Sequence, residues 1–156
     1  MRLSTRGHYG LKAMFDLALN YGPEPITLKS VAERQNISEH YLEQLMAMLR
    51  KAGLVNSVRG AQGGYILARP PLEIKVGDIV RAMEGPIAPV ECVSEVDPSQ
   101  CDQSDFCITR LVWARVRDCI AGVLDSISLD DMCRESEKIE QTDPANNNYV
   151  KDKGGH

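Results

Sequence analysis

Apolar positions recur at helical spacing along most of the chain and at strand spacing in one place. Leu11, Met14, Phe15 and Ala18, with Leu19 beside them, form the stripe of an amphipathic helix. Ser4 or Thr5 can cap it, and Gly22-Pro23-Glu24-Pro25 ends it. Gly7 and Gly10 weaken its first turn or admit a close neighbour. A second, short helix runs from about Leu28 to Gln35, capped by Thr27, with Leu28, Val31 and Ala32 inward and Asn36 at its end. Ser38 caps a third, where Leu42, Leu45, Met46 and Leu49 make the inward stripe. Its other face carries His40, Tyr41, Glu43, Gln44 and Ala47, with Arg50 and Lys51 in the last turn.

The period then changes. Leu54 to Val58 and Tyr65 to Leu67 read as strands around the glycine-rich turn Arg59-Gly60-Ala61-Gln62-Gly63-Gly64. Two helices joined by a tight turn make a helix-turn-helix, whose second helix enters the major groove. An ordinary helical hairpin would account for the helices, but the β-hairpin after them favours a winged helix. Arg59 at the wing tip suits a narrow minor groove, where negative potential favours arginine. A phosphate-cradling loop fits poorly, because no helix follows the turn and no Gly-Lys-Ser/Thr appears.

Residues 75–84 predict a short helix with Val76, Ile79, Val80 and Met83 inward, stopped by Gly85-Pro86. The strongest helical pattern lies at 109–127, where Val112, Val116, Ile120, Val123, Leu124 and Ile127 keep to one stripe with Trp113 beside it. Such a late helix suits dimerisation; packing on its own domain would give the same stripe. Ser128 caps a last short helix containing Leu129 and Met132. Residues 134–156 are polar and predict a disordered tail. The expected fold is mainly α with a small β-hairpin wing. A winged helix-turn-helix domain occupies 1–84, a cysteine-bearing loop 85–108, and a dimerisation helix with a short terminal helix 109–133.

The loop carries the candidate chemistry. Cys92, Cys101 and Cys107 are spaced C-x8-C-x5-C. A long stretch without apolar periodicity is usually functional or disordered, and three thiols favour function. Thiolates suit zinc and iron–sulfur clusters, but zinc expects tight C-x2-4-C pairs, which the loop lacks. An iron–sulfur ligand set is the leading reading; a redox disulfide pair comes next, and three unrelated cysteines last.

Composition narrows the classes. At 156 residues and 43% hydrophobic, the chain can bury the core of one domain. No apolar run approaches the roughly 20 residues that span a bilayer, and Arg2, Arg6, His8 and Lys12 interrupt any signal-peptide pattern. The expected location is the cytoplasm, where an odd set of five cysteines speaks against a disulfide framework. The net charge of −4 hides an asymmetry: residues 1–70 carry nine Lys/Arg against five Asp/Glu, and residues 71–156 nine against 17. A basic first half suggests a polyanion partner. His8, His40 and His156 pair with no nucleophile by local motif, so an enzyme is not expected.

The stretches MRLSTRGHYGLKAM, SEHYLEQL, GLVNSVRGAQGGYIL, VGDIVRAMEGP and CITRLVWARVRD together resemble the winged-helix, iron–sulfur-responsive transcription regulators typified by IscR, with NsrR and CymR as relatives. The resemblance covers about residues 1–133. It implies a homodimer on a pseudo-palindromic double-stranded operator, with Ser38, His40, Tyr41, Glu43 and Gln44 of the recognition helix at positions that contact DNA. It also implies one cluster per subunit, [2Fe-2S] or [4Fe-4S], on Cys92, Cys101 and Cys107. In IscR a histidine three residues after the last cysteine completes the cluster. Here that position is Arg110, which is always protonated and offers no lone pair. In the nitric-oxide-sensing relatives a carboxylate at the position of His8 reaches the cluster from the other subunit. His8 is therefore a candidate fourth ligand, beside a small thiol, an aspartate or water; contact with DNA phosphate or solvent is its plainer role. Cys119 falls near the apolar stripe and reads as a small buried hydrophobe. The competing function is a regulator without a cluster, answering thiol oxidation or a protein partner, as the relatives in cysteine metabolism do; those relatives lack the three-cysteine loop.

Overall fold

The structure, a computed structural model, describes residues 3–96 and 107–142. Helix α1 (Thr5–Leu19) lies at the centre and packs against α2 (Leu28–Gln35), α3 (Glu39–Lys51), α4 (Val76–Glu84) and α6 (Leu129–Thr142). The expected stripe is only part of its buried surface. Residues 13 to 18 are all buried, Asp16 among them, because neighbours cover α1 on several sides. Gly7 and Gly10 do admit close neighbours: a Cβ would lie 2.6 Å from Glu84 Oε1 at the first and 2.6 Å from Met83 Sδ at the second.

Side-chain caps set the helix starts. Thr27 accepts from Ser30 N–H, and Ser38 from Tyr41 N–H, each at 3.2 Å. Asn36, with φ 53°, turns the chain between α2 and α3, a left-handed conformation that asparagine tolerates. The predicted inward residues of α3 (Leu42, Leu45, Met46 and Leu49) and of α4 (Val76, Ile79, Val80 and Met83) are all buried. Asp16, 2% exposed, receives Arg34 at 2.7 Å and Gln35 Nε2 at 3.0 Å, which joins α1 to α2 through a satisfied buried ion pair.

The wing pairs β1 (Val55–Val58) with β2 (Gly64–Leu67) in antiparallel register, Val55 opposite Leu67 and Val58 opposite Gly64. Ile26 extends it with two backbone bonds to Tyr65, of 2.9 and 2.8 Å. Gly63 is required by the turn, since a Cβ there would sit 2.2 Å from Val58 O.

Helix α5 (Ile108–Ser126) packs against α4 and a 3-10 turn at Glu91–Val93, and it buries no residue. Ile108, Leu111, Val112, Trp113 and Val123 are exposed. Cys119 is exposed too, against the expectation of a buried thiol, because nothing among the described residues covers that face. Ser128 caps α6 as expected, in a reciprocal box with Asp131 of 3.0 and 2.9 Å. The helix runs on to Thr142, however, past the point where a disordered tail was expected to begin. Its Glu, Lys and Gln residues are good helix formers. Asp130–Arg134 and Glu135–Lys138 pair along its surface, and Ser136 is buried. Residues 143–156 lie outside the described residues.

Candidate nucleic-acid interface and cysteine site

The stripe that buries Leu42, Leu45, Met46 and Leu49 turns the opposite side of α3 outward. Ser38, His40, Glu43 and Gln44 are exposed on it, with Ala47, Arg50 and Lys51 beyond. Ser38 uses its hydroxyl as the helix cap. His40 and Gln44, one turn apart, approach to 3.3 Å through their Nε2 atoms. Tyr41 is half-buried, its ring edge-to-face on Tyr9 with centroids 6.1 Å apart, so α1 buttresses α3. Arg59 is exposed at the wing tip, and Arg50 Nη1 donates to Ser57 Oγ at 3.4 Å, tying α3 to the wing. The arrangement offers hydrogen-bonding groups on one helix and a cation on the hairpin beside it.

The cysteine site is built where α4, α5 and the segment between them meet. Cys92 lies in the 3-10 turn, next to Val93, which is fully buried like Ile87 before it. Two buried apolar anchors thus hold the first arm of the loop. Arg81 of α4 adds a charged clamp. It donates to both oxygens of Glu95 at 2.9 and 2.8 Å and to Asp125 at the end of α5 at 2.6 and 3.0 Å. Glu95 also accepts Ile87 N–H at 3.1 Å. The bonds from Arg81 hold the Glu95 carboxyl below the usual carboxylate range, and the carboxylates of Glu95 and Asp125 hold the Arg81 guanidinium firmly charged.

Cys107 is the residue that opens α5. Its Sγ lies 3.0 Å from Thr109 Oγ1. That contact, with the N–H groups of Arg110 and Thr109 and the Arg110 charge, lowers the thiol below its ordinary range. Arg110, in the first turn of the helix that Cys107 opens, donates through Nε to Cys92 O at 3.4 Å. Both are free thiols. Cys101 lies outside the described residues. Among the described residues no group of three or more His, Cys, Asp or Glu side chains is placed to hold a metal. His8 is exposed on α1 and joins no such group with Cys92 and Cys107 of its own chain.

Sequence reasoning missed Glu84, Arg81, Glu95 and Arg117. Glu84 Oε1 accepts Ser4 N–H at 3.0 Å, Gly7 N–H at 2.9 Å and the Ser4 hydroxyl, and so caps α1 from the end of α4. No local motif marks such residues, since each partner lies far away in the chain. The pairing of Ser4 with Glu84 spans 80 positions.

Residues 3–135 match the Rrf2 family, described as an "Iron-dependent Transcriptional regulator". The chain is 48% identical to the HTH-type transcriptional regulator CymR of Bacillus subtilis (strain 168), over 85% of this chain and 89% of that one. It is 37% identical to the HTH-type transcriptional regulator IscR of Cronobacter sakazakii, over 94% and 89% respectively. The solved structure of T. potens IscR matches with a TM-score of 0.73 and 54% identity, covering 90% of this chain and 91% of that one. That of CymR, "the Global Cysteine Regulator of B. subtilis", gives 0.72 and 46%, covering 86% and 98%. The six α-helices and the two-stranded hairpin among the described residues are those of winged-helix regulators, and these relatives are named as transcription regulators, not enzymes. Among the described residues no helix is long and apolar enough to cross a membrane.

Proposed function

This chain belongs to the Rrf2 family of transcription regulators, and we propose that it is a cluster-sensing member, a cytoplasmic homodimer that binds pseudo-palindromic DNA. Cys92, Cys101 and Cys107 would hold the iron–sulfur cluster. The genes controlled would be those of iron–sulfur biogenesis or related processes. The observation that carries this reading is that Cys92 and Cys107 are free thiols and that Arg110, in the turn Cys107 opens, reaches the carbonyl of Cys92. Thiolate donors in a loop without zinc-type pairs fit an iron–sulfur cluster. The cluster, when bound, supplies sensitivity to iron supply or oxidants. It can favour one DNA-binding state only by binding that state more tightly.

DNA contact is assigned to Ser38, His40, Tyr41, Glu43, Gln44 and Arg59. Gln44 suits adenine, and Glu43 accepts from cytosine N4. Dimerisation is assigned to α5, whose Ile108, Leu111, Val112, Trp113 and Val123 are left exposed by the described residues. His8 is assigned as a fourth ligand donated by the second subunit; its exposure on α1 leaves it available for that role.

Anaerobic purification tests the reading. The protein should be brown, with visible absorption that air or a chelator bleaches. A His8→Ala variant should change the spectrum or the bleaching rate, and an unchanged variant removes His8 from the ligand set. The 48% identity to CymR favours a second reading, a regulator of cysteine or sulfur metabolism without a cluster. It predicts colourless, iron-free protein whose operator binding survives alanine at Cys92, Cys101 and Cys107 together.

A further inference from the structure

We propose that Arg110 is a positioning residue of the cysteine site, holding Cys92 beside Cys107 before any metal arrives. This rests on the cysteine site proposed above and adds to it the device that assembles it.

A guanidinium is a planar fork of donors with no acceptor, so it cannot ligate a metal but can grip carbonyls. Arg110 and Arg117 stand seven residues apart on α5, two turns along one face. Arg110 Nε reaches Cys92 O at 3.4 Å, and Arg117 Nη1 reaches Val93 O at 3.1 Å. Two guanidinium groups from one helix therefore hold two consecutive carbonyls of the turn that carries Cys92. The turn is also fixed from α4 by Arg81 through Glu95, and from beneath by buried Val93. Of these tethers, the one from Arg110 starts on the same turn of α5 as Cys107. It is thus the contact that relates one thiol to the other, whereas Arg81 and Arg117 fix the turn to the scaffold.

A thiol bridging measurement on metal-free protein tests this. In the full chain carrying Cys101→Ser, Cys119→Ser and Cys133→Ser, dibromobimane fluoresces only when two thiolates displace its two bromides. Cys92 and Cys107 should be bridged readily in the parent. Arg110→Ala should slow bridging by roughly three- to tenfold, the factor that one net hydrogen bond contributes. Arg110→Lys, keeping the charge, should recover part of the rate. Arg115→Ala removes an equal charge from an exposed site on the same helix and should change nothing. Thermal unfolding of the four proteins should coincide, which separates positioning from loss of fold. Equal bridging rates in Arg110→Ala and Arg115→Ala would overturn the proposal. In anaerobically purified protein with its own five cysteines, Arg110→Ala should lose visible absorbance to a chelator faster than the parent; equal rates would overturn its role toward the cluster. Iron-free parent protein would sink the cluster reading alone, since the bridging result still decides the role of Arg110.

Discussion

Helices α1 and α5 carry similar apolar patterns and meet opposite fates. Eight of the fifteen residues of α1 are buried, and none of the nineteen of α5 is. One has neighbours on several sides; the other has α4, the Cys92 turn and open surface. An amphipathic stripe says which face needs cover and not what supplies it. In α1 the cover is intramolecular, and the same helix can bury a carboxylate because Arg34 and Gln35 satisfy it. In α5 the described residues leave Ile108, Leu111, Val112, Trp113 and Val123 exposed, and the cysteine site lies beside that uncovered face.

If that contrast is right, injury to α1 should be read in stability and injury to α5 in assembly. Asp16→Ala carries the largest expected effect. It removes the carboxylate that Arg34 and Gln35 share in a nearly closed interface, and removal of one member of a buried pair costs about 3–5 kcal/mol. Chemical denaturation should show a midpoint shift of that size. A loss below about 1 kcal/mol, the range of exposed ion pairs, would mean that Arg34 rehydrates freely.

Val112→Asp and Val123→Asp come next. The side chains of α5 they replace are on residues 52% and 54% exposed in the single chain, so its fold should tolerate either change. Each apolar group that a dimer buries contributes roughly 1.5–3 kcal/mol. Sedimentation should therefore show a shift toward monomer, with unfolding of the isolated chain little changed and operator binding weakened. An unaltered dimer moves the interface away from α5. Arg59→Ala follows, with operator affinity weaker by about 1–3 kcal/mol at physiological salt. Unchanged binding would take the wing out of the DNA contact. Glu43→Ala should relax base preference more than it lowers affinity, as measured by binding to operators changed one base pair at a time.

The same contrast explains what could be read from the sequence. Leu42, Leu45, Met46 and Leu49 were legible because a helix buries every third or fourth residue against one core. The wing was legible because its turn demands glycine between two short apolar runs. Cys92, Cys101 and Cys107 stood out by residue type and spacing. Arg81, Glu95 and Arg117 were not legible, since surface charges at those spacings are usually solvated and only the folded chain reveals their partners. The length of α6 was missed for a related reason. Its polar residues look like a tail until the pairs Asp130–Arg134 and Glu135–Lys138 are seen along one helix.

The smallest expected effect concerns the seam between the two regions. Glu84 ends α4, where the cysteine loop departs, and caps α1, where the buried region begins. Burial pushes its carboxyl up, but the bonds from Ser4 Oγ, Gly7 N–H and Ser4 N–H outweigh that and hold it below the ordinary range, with Arg6 adding a little. A carboxyl lowered in the folded state stabilises the fold above its unfolded value, and that contribution is lost as pH falls through the folded value. The parent should therefore lose more stability than Glu84→Gln as pH falls through and below the ordinary carboxylate range. Solvent access to the carboxylate keeps the difference modest. Glu95 and Asp131 are lowered as well, so both proteins will weaken in acid, and only the difference in their slopes reports on Glu84. Urea midpoints at closely spaced pH values give both slopes. If the slopes coincide, the three bonds at the start of α1 hold the neutral amide as well as the carboxylate, and α1 is capped by shape rather than by charge.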